Sequence, residues 1–198
     1  MTRPVVIHAT KRLFDGLFKL DEVEVSFERF DGRMSRPVKR LSLERGDSVA
    51  VMGYNRESRR AIFVEQFKYP TYEHGPGWIM ETVAGMAESE ETPEAAIRRE
   101  VLEEIGYEVD ALEEIAAFYL SPGGSSERVL LYYAEVTAAN KVAAGGGVPG
   151  EGEDIRTIEL SREELQALLE AGGVQDAKTL VGIQWLLRTM DAGLVDTA

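Results

Sequence analysis

Residues Gly85–Tyr107 read GMAESEETPEAAIRREVLEEIGY, and this stretch decides the fold. Thr92 is a capping residue type, Pro93 suits the first helical position, and Ala95–Ile105 contains no glycine or proline before Gly106 stops the run. Ile97, Val101 and Ile105 recur every four residues and form a stripe that faces a core. Glu100, Glu103 and Glu104 stand at i, i+3 and i+4, so they share one face of the helix. Like charges at this spacing repel by about 0.2–0.5 kcal/mol per pair. Solvent relieves that repulsion, and so does a hard cation, for which carboxylate oxygens are the natural donors. Arg99 lies four residues before Glu103 and is placed to neutralise or orient it.

Upstream, the chain reads as β-structure. Val23, Val25 and Phe27 alternate with Glu22, Glu24, Ser26 and Glu28, the period of a half-buried strand. Val38–Leu43, Ser48–Tyr54 and Ala61–Phe67 are further strands. Tyr69–Gly77 is a loop carrying two prolines and two glycines, and Trp78–Val83 a short strand. Downstream, Leu112–Leu120 and Arg128–Thr137 read as strands around a turn at Ser121–Gly124. Ala138–Asp154 is glycine-rich and acidic with little apolar pattern, which predicts a long mobile loop. Ile155–Leu160 is a strand. Ser161 with Glu164 forms a capping box for a helix to Ala171, and Asp176 caps a last helix to Met190. Strands come first and helices are interspersed, so the class is α+β or mixed α/β.

Composition narrows the function. The 198 residues hold 35 acidic and 22 basic side chains, a formal net charge of −13. A dedicated nucleic-acid binder needs a basic footprint, so this balance argues against that class. A small anionic substrate is compatible, because a bound divalent cation reverses the local sign. No cysteine is present, so there is no disulfide, thiolate nucleophile or cysteine-ligated zinc. Only His8 and His74 are available, which leaves a histidine metal site poorly supplied. Met1–Arg12 lacks the apolar stretch of a secretion signal, and no apolar run approaches the roughly 20 residues of a membrane span. A cytoplasmic protein without membrane contact is the expectation.

Gly85, Glu91, Arg99, Glu100, Glu103, Glu104 and Gly106, with Val101 and Tyr107 at the bulky positions, fill the pattern G-x5-E-x7-R-E-U-x-E-E-x-G-U. The segment resembles the box of the Nudix hydrolases. The resemblance implies an α/β/α sandwich around a mixed β-sheet, occupying 46–198, with residues 1–45 as a small antiparallel β-segment that serves dimerisation. It implies hydrolysis of a nucleoside diphosphate linked to a second moiety, with Mg2+ or Mn2+ as cofactor. Carried onto this chain, Glu100, Glu104 and the carbonyl of Ala84 hold metal, Glu103 is a ligand or close to it, and Arg99 pairs with a box glutamate.

The likeness extends beyond the box. Glu81–Gly85 and the Ser121–Glu127 stretch SPGGSSE, with Pro122 fifteen residues after Tyr107, resemble the ADP-ribose and nucleotide-sugar branch. There Glu81, Pro122, Glu127 and Lys68 are expected to meet substrate. Glu151 is expected to be the catalytic base and Glu153 a further metal ligand. The branch implies a homodimer whose N-terminal strands pack on the partner. ADP-ribose is the leading substrate, cleaved to AMP and ribose 5-phosphate. Ala144–Val148, AGGGV, resembles the GDP-mannose members instead, so GDP-mannose or another nucleotide sugar is the alternative. A non-catalytic nucleotide-binding module would need a broken box.

Overall fold

The computed structural model describes residues 3–87, 90–148, 150 and 152–195. The chain forms two units. One comprises Met1–Asp47 with Tyr119–Arg128, and the other Ser48–Phe118 with Val129–Ala198. The sequence reading assigns Tyr119–Arg128 to the larger domain.

In the first unit, β1 (Val5–Asp15), β2 (Lys19–Phe27) and β3 (Val38–Glu44) form an antiparallel sheet in the order β1-β2-β3. Strand β1 is absent from the sequence reading for a physical reason. Its register slips at Ile7/Ala9 and again at Arg12/Phe14, so no period of two runs through it. It is exposed along its whole length and carries Val5, Val6, Ile7, Leu13 and Phe14. The later segment joins this unit through the backbone, with Leu43 N donating to Gly124 O at 2.8 Å and Ser126 N to Leu43 O at 3.0 Å.

The second unit runs β4 (Ser48–Asn55), β5 (Arg60–Phe67), α1 (Tyr69–Tyr72), β6 (Trp78–Glu81), β7 (Val83–Met86), α2 (Pro93–Ile105), β8 (Glu113–Tyr119), β9 (Arg128–Val136), β10 (Arg156–Leu160), α3 (Arg162–Glu170) and α4 (Ala177–Asp191). Its sheet is mixed, in the order β10-β5-β4-β9-β8, with β4 and β9 parallel. All eight residues of β4 are buried, as befits a strand covered on both faces. Val49 and Val51 pack with Ile97, Val101 and Ile105 of α2. On the opposite face, Met52, Tyr54 and Phe63 pack with Leu165, Ile183, Leu186 and Met190 of α3 and α4. This is the expected α/β/α sandwich.

The predicted strand Trp78–Val83 is instead two strands, and the break positions the site. Strands β4 and β5 pair only over Gly53–Asn55 and Arg60–Ile62. Beyond that they part, and β6 pairs with β5 while β7 pairs with β4. Thr82 sits at the fork, fully buried, between Glu81 opposite Val64 and Val83 opposite Val51. The run Glu81–Gly85 therefore threads the middle of the sheet, beside α2.

Candidate active site

Helix α2 carries the acids. The Thr92 hydroxyl accepts from Ala95 N at 3.2 Å, and Gly106 closes the helix in a left-handed conformation with φ 71°. Ala96, Ile97, Val101 and Ile105 are buried on this helix, and so is Glu104.

Arg99 ties the segment together. Its guanidinium donates to Glu91 (3.1 and 3.3 Å), to Glu100 at 2.8 Å, to Glu103 at 3.1 Å and to the carbonyl of Met86 at 3.1 Å. The bonds to Glu91 raise its pKa, and with the two box acids they outweigh burial. Arg99 therefore remains a permanent cation and fixes the fan of acids around it. Gly85 is glycine because Glu100 lies against it. A Cβ there would fall 1.9 Å from Glu100 Oε1. The backbone at Ala84–Gly85 and the Glu100 side chain are thus in contact, which places the expected carbonyl ligand beside the expected carboxylate ligand.

Glu104 is the least ordinary group in the site. It is 2% exposed, and its Oε2 is buried without a hydrogen-bond partner. Burial pushes its pKa up to about 8, helped by the charges of Glu100, Glu81 and Glu153 and opposed by Lys68. Glu100 is also raised, by burial first and by Glu103 and Glu153, against Arg99. A buried carboxyl left without a donor costs about 1–3 kcal/mol or more. A divalent cation would satisfy that oxygen and cancel the like charges, so this donor set of hard oxygens fits such an ion. Among the described residues, no group of three acids or histidines is already gathered as a metal cage.

The glycine-rich segment differs from expectation. Part of it is docked on α2 rather than free to move. Gly146 N donates to Glu104 O at 2.8 Å, Gly147 N to Glu103 O at 3.0 Å, and Lys141 Nζ to Ile105 O at 2.5 Å. These donors satisfy carbonyls that a helix end leaves without partners. Gly145, Gly146 and Gly147 have φ of 74°, 105° and 85°, which only glycine adopts without strain. A Cβ on Gly147 would also lie 2.6 Å from Glu153 Oε2, and the same oxygen accepts from Val148 N at 2.9 Å. The loop thereby holds Glu153 where its charge reaches Glu100 and Glu104. Glu151, the expected base, lies outside the described residues.

Glu81 and Lys68 also meet at this site. Lys68 Nζ is 3.3 Å from Glu81 Oε1, which also accepts from Gln66 Nε2 at 3.3 Å. Pro122 and Glu127 lie in the first unit, where Glu127 is 3.6 Å from Arg45. The sequence reading missed Lys178. Its ammonium lies between Glu81 and Asp176, bonded to both, at 2.9 Å from Asp176 Oδ1. The available signal was its place. A lysine in the first turn of a helix opposes the macrodipole, so it needs an acid beyond the helix to hold it.

Comparison with known proteins agrees with this geometry. The NUDIX domain model matches residues 44–181. The chain is 34% identical over 188 residues to a GDP-mannose pyrophosphatase of Citrobacter koseri, covering 94% of this chain and 96% of that protein. It is 35% identical, with the same coverage, to one of an Enterobacter species, and 33% to one of Escherichia coli. A crystal structure described as an ADP compounds hydrolase shares the fold, with a TM-score of 0.72 over 96% of this chain and 97% of that one, at 17% identity. The intact box, the sandwich that presents it and these likenesses place the chain in the NUDIX domain family, among its hydrolases.

Proposed function

We propose that the protein hydrolyses the pyrophosphate bond of a nucleoside diphosphate sugar, with Mg2+ or Mn2+ as cofactor. The observation that carries this is Glu104, a buried carboxyl without a donor on a helix whose other acids crowd it. Glu100, Glu104, Glu153 and the Ala84 carbonyl would hold the cation, with Glu103 near it. Bound there, a divalent cation supplies charge neutralisation for the polyphosphate and acidifies a coordinated water. The chain's own residues do the rest. Arg99 keeps the acids in register, and Glu151 takes the proton of the attacking water. Lys68 and Glu81 meet the substrate.

The sequence reading puts ADP-ribose first. The GDP-mannose pyrophosphatases named among the relatives, together with the segment Ala144–Val148, support testing GDP-mannose first and ADP-ribose second. The proposal includes a homodimer joined through the N-terminal sheet, supported by the exposed apolar residues of β1. It also includes a cytoplasmic location, supported by the absence of cysteine. No helix of the described residues is long and apolar enough to cross a membrane. The test is a panel of nucleoside diphosphate sugars with product identification. GMP with mannose 1-phosphate, or AMP with ribose 5-phosphate, is the expected pair. Hydrolysis confined to nucleoside triphosphates would overturn the reading.

A further inference from the structure

Lys178 is a buried cation that the proposed chemistry does not use. Its side chain is 12% exposed, and its position in the first turn of α4 sets it against the helix dipole. Burying an ammonium there is costly unless paired charges and hydrogen bonds compensate. The compensation comes from two directions. Asp176 Oδ1 accepts from Lys178 Nζ, while Asp176 Oδ2 caps the helix by accepting from Thr179 N at 2.9 Å and from the Thr179 hydroxyl at 2.6 Å. The other partner is Glu81, at the end of β6 and 6% exposed. Lys178 thus bridges a rigid cap to an acid of the sheet.

The same helix start holds the next residue of the sheet too. Thr82 N, at the fork between β6 and β7, donates to the Thr179 hydroxyl at 2.8 Å. Glu81 and Thr82 are therefore both fixed by α4, three and two residues before the Ala84 carbonyl. Glu81 is also close enough to Glu104 for its charge to be felt there. Lys68, its second cation, is 3.3 Å away on a side chain 41% exposed, and it is free to leave for a substrate phosphate. Lys178 has no such freedom.

We propose that Lys178 is a positioning residue that clamps Glu81 to the cap of α4 and acts as its built-in counter-ion. Glu81 then enters the acid cluster as a cation-paired, immobile group, and Glu100, Glu104 and Glu153 are left to take a cation from solution. This assignment rests on the reading of the cluster as a cation site.

The test compares Lys178→Met, Lys178→Arg, Glu81→Gln and the double variant Glu81→Gln/Lys178→Met with wild type. The readouts are kcat and KM on the best-hydrolysed nucleotide sugar, and Mn2+ affinity by water-proton relaxation without substrate. Lys178→Met is expected to lower kcat about 10–100-fold with KM moved less than about threefold. Lys178→Arg should recover most of that loss. Mn2+ should bind about tenfold more tightly to Lys178→Met, because one positive charge beside the cluster is gone. Within the Glu81→Gln background, Lys178→Met should change kcat less than about twofold. Wild-type kcat or unchanged Mn2+ affinity in Lys178→Met overturns the proposal, as does an equal kcat loss in both backgrounds. If Lys178→Met does not fold, the isoelectric double variant against Glu81→Gln decides, and a further loss of kcat there overturns it. A wild type that hydrolyses no nucleotide sugar, with tighter Mn2+ binding in Lys178→Met, sinks the hydrolase reading and leaves the clamp standing.

Discussion

Glu81 and Glu104 are both buried carboxyls, at 6% and 2% exposure, and the chain treats them oppositely. Glu81 receives two ammonium groups and an amide. Glu104 has an oxygen with no donor and a pKa pushed up to about 8, with burial the main cause. A chain that only needed buried acids balanced would balance both. Supplying an internal cation to one and none to the other separates an acid that holds position from an acid that waits for a ligand.

The largest expected effect comes from breaking that difference at the unbalanced end. Glu104→Gln keeps size and one donor-acceptor pair but removes the charge that attracts a cation. It should lower kcat by at least about 10³-fold with the fold intact by circular dichroism. Glu81→Gln, at the balanced end, should cost less. If Glu104→Gln turns over within tenfold of wild type, the two acids are equivalent and the comparison fails. Excess chelator should abolish activity in wild type, and Mg2+ or Mn2+ should restore it. Turnover that persists in chelator removes the cation from the chemistry altogether.

A second, smaller effect tests what places Glu153 beside Glu104. Gly147 has φ 85°, and a Cβ there would lie 2.6 Å from Glu153 Oε2. Gly147→Ala should therefore strain the backbone by about 1–3 kcal/mol and displace Glu153. The Mg2+ concentration for half activity should rise about tenfold, with kcat at saturating Mg2+ changed less. Glu153→Gln should reproduce that pattern, whereas Glu151→Gln should lower kcat about 10²–10⁴-fold without shifting the Mg2+ titration. An unshifted titration in both Gly147→Ala and Glu153→Gln would mean that the loop serves α2 only as a cap.

These residues also mark how far the sequence could be read. The α2 segment was legible because its information is local. A cap, a four-residue apolar stripe and three acids at helical spacing all lie within 23 residues. The caps at Ser161 and Asp176 were legible for the same reason. The split at Thr82 was not, because it is set by β4 and β5 parting, which no local pattern records. The glycine run announced its backbone freedom but not its use. Mobility and docking on a helix end call for the same residue, and the docking partners Glu103 and Glu104 lie over 40 positions earlier. Lys178 was hidden by distance as well, 97 residues from Glu81.

The smallest effect is a stability difference that depends on pH, measured on the metal-free protein. Glu104 titrates near 8 in the fold, against about 4.3 in an unfolded chain. Between those values the native state keeps a proton that the unfolded state has released. The native state binds more protons there, so stability must fall as pH rises through the window. Glu104→Gln carries no titrating group at this site and is spared that loss. In chelator the melting temperature of Glu104→Gln should exceed that of wild type by more at pH 8 than at pH 5. One kcal/mol is worth about 2–4 °C in a chain of this size, so a change in the gap of at least about 4 °C is expected. Adding Mg2+ at pH 8 should narrow the gap, because the cation displaces the proton in wild type and finds one ligand fewer in the variant. A gap that stays constant from pH 5 to pH 8 would mean that Glu104 is already ionised and partnered, and its contrast with the cation-paired Glu81 would be gone.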